Sequence, residues 1–260
     1  MSTPGALRVL ERNLHWFRRL WRANLLNSLL QPMLYLLGLG VGVGTLVNRN
    51  ASSTAALGGL AYQRFVAPGL LCTTAMSIAF VESAWPVLGG FKWQPSYVAM
   101  ATTPLRAVDI VLGHIAWVTL RLLAATCAVT SALMLFPSVR TVRLVPTIAF
   151  ATISGLALGM AVTAYSSYQQ RETGFVSIGR FVLIPLFLFG GAFFPVSQLP
   201  VGIRVVVKVF PLWHGTELSR SFVTHSLGFG ELLAHLAYLL LWIVVGTVIS
   251  TRQFARRLGV

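Results

Sequence analysis

The side chains able to do acid–base, nucleophilic or metal chemistry are few and scattered along this chain. The 260 residues hold six aspartates and glutamates, five histidines and two cysteines. The most suggestive group is His214, Glu217 and Arg220, whose spacing of three puts them on one helix face and lets Glu217 pair with Arg220. No nucleophile lies nearby, so the group reads as a structural clamp rather than a catalytic set. His15, His114, His214, His225 and His235 lack metal-ligand spacing and read as interfacial polar groups. Cys72 and Cys127 fall inside apolar runs, without a disulfide framework, and read as packing residues. There is no GxxxxGK[ST] phosphate loop, no HExxH, no nucleophile elbow and no paired-carboxylate site. No catalytic residue, no metal and no cofactor is therefore expected on this chain. Gly38, Gly40, Gly42 and Gly44 are no dinucleotide fingerprint, since no strand precedes them; their small-xxx-small spacing permits close helix approach.

The elements that carry these residues are mostly apolar. Hydrophobic residues make up 56% and charged residues 10%, with mean hydropathy +0.76, against about 25% charged in soluble domains. Charge-free windows at 23–48, 144–170, 181–203 and 232–251 each reach the roughly 20 residues that a membrane-crossing helix needs. The fold class is an all-α integral membrane protein with six transmembrane helices. These run at about 25–47, 57–81, 113–136, 145–165, 175–194 and 232–250, within one transmembrane domain over 1–260. Residues 6–22 pattern as an amphipathic helix, with Leu7, Leu10, Leu14, Phe17 and Trp21 on one stripe beside Arg8, Arg12, Arg18, Arg19 and Arg22. It reads as an interfacial helix over 1–24; the alternative is an arm that binds a partner helix. The net charge of +14 comes without a basic tract interleaved with exposed aromatics, so it points to topology signals and not to nucleic acid.

Five arginines precede the first span and one follows it, which places the N-terminus in the cytoplasm. Six spans return the 252–260 tail, with Arg252, Arg256 and Arg257, to the same side. The polar break from Glu82 to Asp109 is then cytoplasmic, and no acidic residue is central to a span. Arg49, Arg64, Arg140, Arg143, Arg204, Lys208 and Arg220 fall on the outer side and weaken the charge bias as a global count. Arg121 is an intramembrane charge that either snorkels to headgroups or faces the bundle interior. Between Pro195 and Gly230 the chain is too polar to span and too apolar for a free loop. It reads as outer re-entrant helices between spans five and six, with starts at Pro200 and Pro211.

Two segments together resemble a known family. They are Phe189-Gly190-Gly191-Ala192-Phe193-Phe194-Pro195-Val196-Ser197-Gln198-Leu199-Pro200 and Phe210-Pro211-Leu212-Trp213-His214-Gly215-Thr216-Glu217-Leu218-Ser219-Arg220. With Trp93, Tyr97, Met100, Thr103-Pro104-Leu105, Asp109, Trp117 and Arg121 upstream, they resemble type-2 ABC exporter permeases of the NodJ/DrrB branch, over nearly the whole of 32–220. His114 departs from that pattern, where many relatives carry an acidic residue.

The resemblance implies the transmembrane subunit of an ATP-driven exporter in the bacterial cytoplasmic membrane, multi-pass, with both termini cytoplasmic. It implies a cytoplasmic coupling helix between spans two and three, formed around Trp93, Tyr97, Met100, Thr103, Pro104, Leu105 and Asp109. Tyr97 and Met100 are expected to project into a groove of a cytosolic ATP-binding-cassette ATPase, present in two copies and carrying the ATP and magnesium. Phe193, Phe194, Pro195, His214, Glu217 and Arg220 would belong to an outer gate. A second permease, as homodimer or heterodimer, membrane lipid and an amphiphilic substrate complete the expected partners. The substrate would be a lipid-linked saccharide, glycolipid or hydrophobic drug. The rival reading is an ATP-independent secondary carrier or channel, which would need intramembrane carboxylates or a selectivity constriction.

Overall fold

The computed structural model describes residues 5–224 and 227–259, and these are predominantly helical, with no strand among them. His225 lies outside the described residues. Twelve α-helices are joined by two π-helical and two 3-10 segments. The first run comprises α1 (Gly5–Tyr35), a π segment (Leu36–Val43) and α2 (Gly44–Arg49). After the short α3 (Ala51–Ala56) comes α4 (Tyr62–Lys92), then α5 (Ser96–Ala101) and α6 (Ala107–Leu133). A 3-10 turn leads into α7 (Val145–Tyr168). Next come α8 (Thr173–Ile178), a π segment (Gly179–Leu183) and α9 (Ile184–Phe189). The chain ends with α10 (Val201–Val209), α11 (Pro211–Thr224) and α12 (Phe229–Leu258).

Five helices are long and apolar enough to cross a membrane: Asn24–Arg49, Tyr62–Lys92, Ala107–Leu133, Val142–Tyr168 and Phe229–Leu258. The expected fifth of six spans is instead a shorter apolar run, Thr173–Phe189. At about 1.5 Å per residue it is shorter than a hydrocarbon core about 30 Å thick, so it crosses only with local thinning of the bilayer. A π turn opens its middle, Pro185 lies just inside α9, and Gly191 at φ 87° bends the chain away after it.

Several boundaries differ from the sequence expectation: the second span starts at Tyr62 and not at 57, the third at Ala107 and not at 113, and α12 runs through most of the expected 252–260 tail to Leu258. The second span does not stop at Val81, because α4 continues to Lys92 and takes Glu82 into the bundle. The N-terminal segment is not a separate interfacial helix over 1–24. It is continuous with the first span and lies along α6, where Val9 fits against Gly113 and Phe17 packs edge-on to Trp117 at 5.6 Å. The partner helix considered for it is thus one of the chain's own.

α7 sits at the centre, touching α4, α6, α11 and α12. Gly155 and Gly159 let it approach Ala75, Ala79 and Ser83 of α4 closely; a methyl at Gly155 would lie 2.9 Å from the Ala75 side chain. In lipid, where burying an apolar side chain between helices gains little, such close packing is what holds helices together. Around the π segment glycines serve differently: Gly40 and, at the start of α2, Gly44 touch Gln63 and Tyr62, whereas Gly38 and Gly42 face open space. Cys72 is buried against Ser219, whereas Cys127 is exposed and is no packing residue.

Candidate functional site

The lower end of α4 builds one half of the site. Lys92 ends the helix, Trp93 caps it, and Pro95 fixes the backbone ahead of α5. Tyr97 of α5 is only 4% exposed and meets the rings of Phe91 at 5.0 Å and Phe254 at 5.1 Å. Phe91 and Phe254 meet at 4.8 Å, and the Arg257 guanidinium lies 4.1 Å from the Phe91 ring centre. Aromatic edge-to-face contacts of this kind add about 0.5–1.5 kcal/mol each beyond burial. Burial also pushes the Tyr97 phenol up to about 12, so it stays protonated at physiological pH.

This geometry corrects the expectation that Tyr97 and Met100 project outward. Tyr97 points into its own chain, and Met100 packs at the edge of the same cluster. The large apolar side chains of the segment left exposed are Trp93 and Val98, and Thr103 and Pro104 are exposed in the turn that follows. Thr103 Oγ1 donates to the Met100 carbonyl at 2.6 Å. Asp109 accepts from the Arg106 amide at 3.0 Å, capping α6, while Leu105 lies beside Gly5 of α1.

Inside the bundle, Glu82 and Arg121 form an ion pair at 3.0 Å, and the second Glu82 oxygen accepts from Trp117 Nε1 at 3.0 Å. The Arg121 guanidinium also lies 4.9 Å from the Phe17 ring centre. Arg121 therefore faces the bundle interior, and a carboxylate does lie within a spanning helix. Hydropathy misses this because a charge counts as a break even when its neutralising partner sits a helix away. His114 is likewise no interfacial group; it is buried beside Thr163 at 3.3 Å.

The opposite end is built by the corner after α9 and by α10 and α11. α10 follows Pro200, and α11 begins at Pro211. Arg220 holds the corner: Nη2 donates to the Gly191 carbonyl at 2.5 Å, Nη1 to Glu217 at 3.3 Å, and the guanidinium stacks 3.8 Å from the Phe65 ring centre. Gly69 admits the corner onto α4, since a methyl there would lie 2.5 Å from Ala192 Cα. Phe193 is buried against Tyr35 and Phe187, with Phe194 and Pro195 half-buried beside it. His214 does not join a catalytic set. Its Nδ1 faces His235 Nδ1 at 2.8 Å, its Nε2 faces the Lys208 carbonyl at 2.9 Å, and its ring stacks on Tyr238. Burial is the main reason its pKa is pushed down to about 4.

Between the first helical run and the α8–α9 segment lies an open, largely apolar cavity of about 790 Å³. Both π segments line it, through Leu39 and Val43 on one side and Gly179 and Leu183 on the other, with Tyr35, Phe187 and Phe193. A smaller polar cavity, with Asn24, Ser28, Glu82 and Arg121, shares Gln31 and Ser77 with it. Sequence reasoning missed both cavities' shared rim. The only signals for it were Gln31 and Ser77, two polar residues in otherwise apolar runs. Among the described residues no cluster of histidine, cysteine and carboxylate could hold a metal ion.

Comparison with known proteins gives a consistent result. The family described as "ABC-2 type transporter" matches residues 7–223. Nodulation protein J of Rhizobium leguminosarum bv. trifolii is 33% identical over 99% of this chain and 97% of that protein. Nodulation protein J of Rhizobium meliloti is 30% identical, covering 96% and 92%. The inner membrane transport permease YadH of Escherichia coli is 23% identical, covering 85% and 79%. No solved structure gives a significant match.

Proposed function

The chain belongs to the ABC-2 type transporter family, and from that premise we propose that it is the membrane subunit of an ATP-driven exporter for amphiphiles in the bacterial cytoplasmic membrane. Family membership makes it a transport subunit that partners an ATP-binding-cassette subunit. Two such ATPases, a second permease, both termini in the cytoplasm, a single permease domain over 1–260 and a sixth, short span through Thr173–Phe189 complete the reading.

One observation carries it. α4 bears Phe91 in the aromatic cluster under α5 and Phe65 beneath Arg220. These lie 26 positions apart (91 − 65) on one helix, about 39 Å at 1.5 Å per residue. A helix packed at both ends passes displacement along its length, bending where Pro68 and Pro86 interrupt its hydrogen-bond ladder. ATPase closure would push on Trp93 and Val98. Because Tyr97 is sealed onto Phe91 and Phe254, that push would reach α4 and α12 rather than be lost in a loop.

At the far end, α4 would move the corner at Ala192 and Phe193, which forms one wall of the apolar cavity. The π segments supply the give, since π turns hold a residue out of the ordinary hydrogen-bond ladder and recur at functional sites. An acyl or aromatic portion fits the apolar cavity, and a polar head fits the neighbouring pocket where the Glu82–Arg121 pair leaves no net charge.

The test is co-expression with the cognate cassette ATPase. Co-purification and vanadate-sensitive ATP hydrolysis stimulated by the permease are expected. A chain that binds no such ATPase would count against the reading and in favour of an independent carrier.

A further inference from the structure

At the end opposite α5, an open cavity of about 480 Å³ is lined by Arg204, Lys208 and Arg220 with a single carboxylate, Glu217, between walls that include Phe65 and Trp213. Three cations against one anion leave an excess of two positive charges on this lining. Internal contacts do not use up their donors. Arg204 Nη2 is held by the carbonyls of Ser197 at 2.7 Å and Leu199 at 3.0 Å, yet its buried Nε has no partner. Arg220 is 7% exposed and ties Glu217 and Gly191, and its Nε is again without a partner. Lys208 lies over the Trp213 ring at 5.0 Å. A buried donor left unmade is costly, and guanidinium groups suit the oxygens of phosphate geometrically.

We propose that this cavity is an oxyanion site, taking the phosphate-ester class of group carried by anionic amphiphiles. The Arg204 and Arg220 guanidinium groups and the Lys208 ammonium, which line the cavity, would meet the oxygens, while Phe65 and Trp213 would face the less polar part of the ligand. Glu217 holds Arg220 in place and limits the strength of binding, so an anion is retained and then released. That the site serves an exit path rests on the export reading; that it binds an oxyanion does not.

Amine acetylation offers a direct test, because the chain has two lysines, Lys92 and Lys208, set at opposite ends. The full-length protein in dodecyl maltoside micelles is treated with N-hydroxysuccinimidyl acetate, and each lysine is followed by peptide mass spectrometry. Dodecyl phosphate is expected to slow Lys208 acetylation saturably, by at least about fivefold, with Lys92 as the unaffected reference. Inorganic phosphate at equal concentration separates the sources. Equal protection assigns a free anion, and protection by dodecyl phosphate alone assigns an amphiphile's headgroup.

Arg204→Gln should raise the half-protecting concentration and Glu217→Gln should lower it, and the second variant keeps the test open if the first misfolds. Equal Lys208 rates with dodecyl phosphate and with maltoside alone would overturn the proposal. So would an equal slowing of acetylation at Lys92. Neither ATPase nor transport enters the measurement, so failed export with intact protection would remove the export reading and leave the site standing.

Discussion

The two ends of α4 solve opposite problems. Around Phe91 the chain closes on itself: Tyr97, Phe254 and the Arg257 guanidinium pack three rings and a cation into one sealed cluster. Around Phe65 the chain stays open, with arginine and lysine groups lining a cavity and buried guanidinium nitrogens left without partners. A sealed aromatic cluster resists deformation, as a part that receives force must. An open, incompletely satisfied cluster has more than one acceptable arrangement, as a part that moves or binds must. On the proposed export reading, work enters at the Tyr97 end and is used at the Arg220 end.

Breaking the sealed end should have the largest effect. Tyr97→Ala removes the ring on which α5 rests and should cost about 3–5 kcal/mol, as large aromatic truncations in packed cores do. Permease-stimulated ATP hydrolysis should fall with it, whereas Tyr97→Phe should retain both; thermal unfolding in detergent and ATPase assays read the two effects. A permease that tolerates Y97A with full stimulation does not use this cluster to transmit force.

Breaking the ion pair that ties α4 to α6 between its two ends should come next. Glu82→Ala leaves Arg121 unpaired inside the bundle and should cost about 3 kcal/mol or somewhat more, while replacing both residues by neutral ones should recover much of the loss. Unfolding of the single and double variants decides this. Equal losses in both would mean that the pair contributes through shape and not charge.

Trp93→Ala with Val98→Asp changes only exposed side chains, so stability should stay within about 0.5 kcal/mol. ATPase stimulation should nonetheless drop. Unchanged stimulation would move the receiving surface elsewhere.

The smallest effect concerns pH and belongs to the open end. His214 is neutral in the folded chain, with its pKa pushed down to about 4, whereas an unfolded histidine takes its proton near about 6.5. Between those values the unfolded state binds more protons, so this contribution to stability is present above 6.5 and is lost as pH falls toward 4. Lys208, His235, Glu217 and the Tyr238 ring surround the group. His214→Gln should flatten the loss of stability over that window, followed by unfolding at stepped pH.

Much of this architecture is legible along the chain, because membrane spans announce themselves by local composition. Gly155 and Gly159 mark a close helix crossing, and the 189–200 and 210–220 segments carry the family resemblance. What the chain hides is pairing at a distance. Glu82 looks like the start of a polar loop until Arg121, 39 residues later (121 − 82), neutralises it. Tyr97 looks like a surface aromatic on a short helix until Phe254 arrives from the far end of the chain. The shortfall of the Thr173–Phe189 run depends on a π turn, which leaves no reliable trace in composition. Orphaned nitrogens on Arg204 and Arg220 appear only once the surrounding carbonyls are placed.

The central claim is that a cassette ATPase grips the α5 end and not the Arg220 end. Two exposed valines separate these possibilities, Val98 on α5 and Val205 on α10. Each is changed singly to cysteine in the full-length chain, with exposed Cys127 replaced by serine, and co-expressed with the ATPase for thiol cross-linking. The account predicts a cross-linked product for V98C and none for V205C. Cross-linking through V205C, with V98C remaining free, would contradict it.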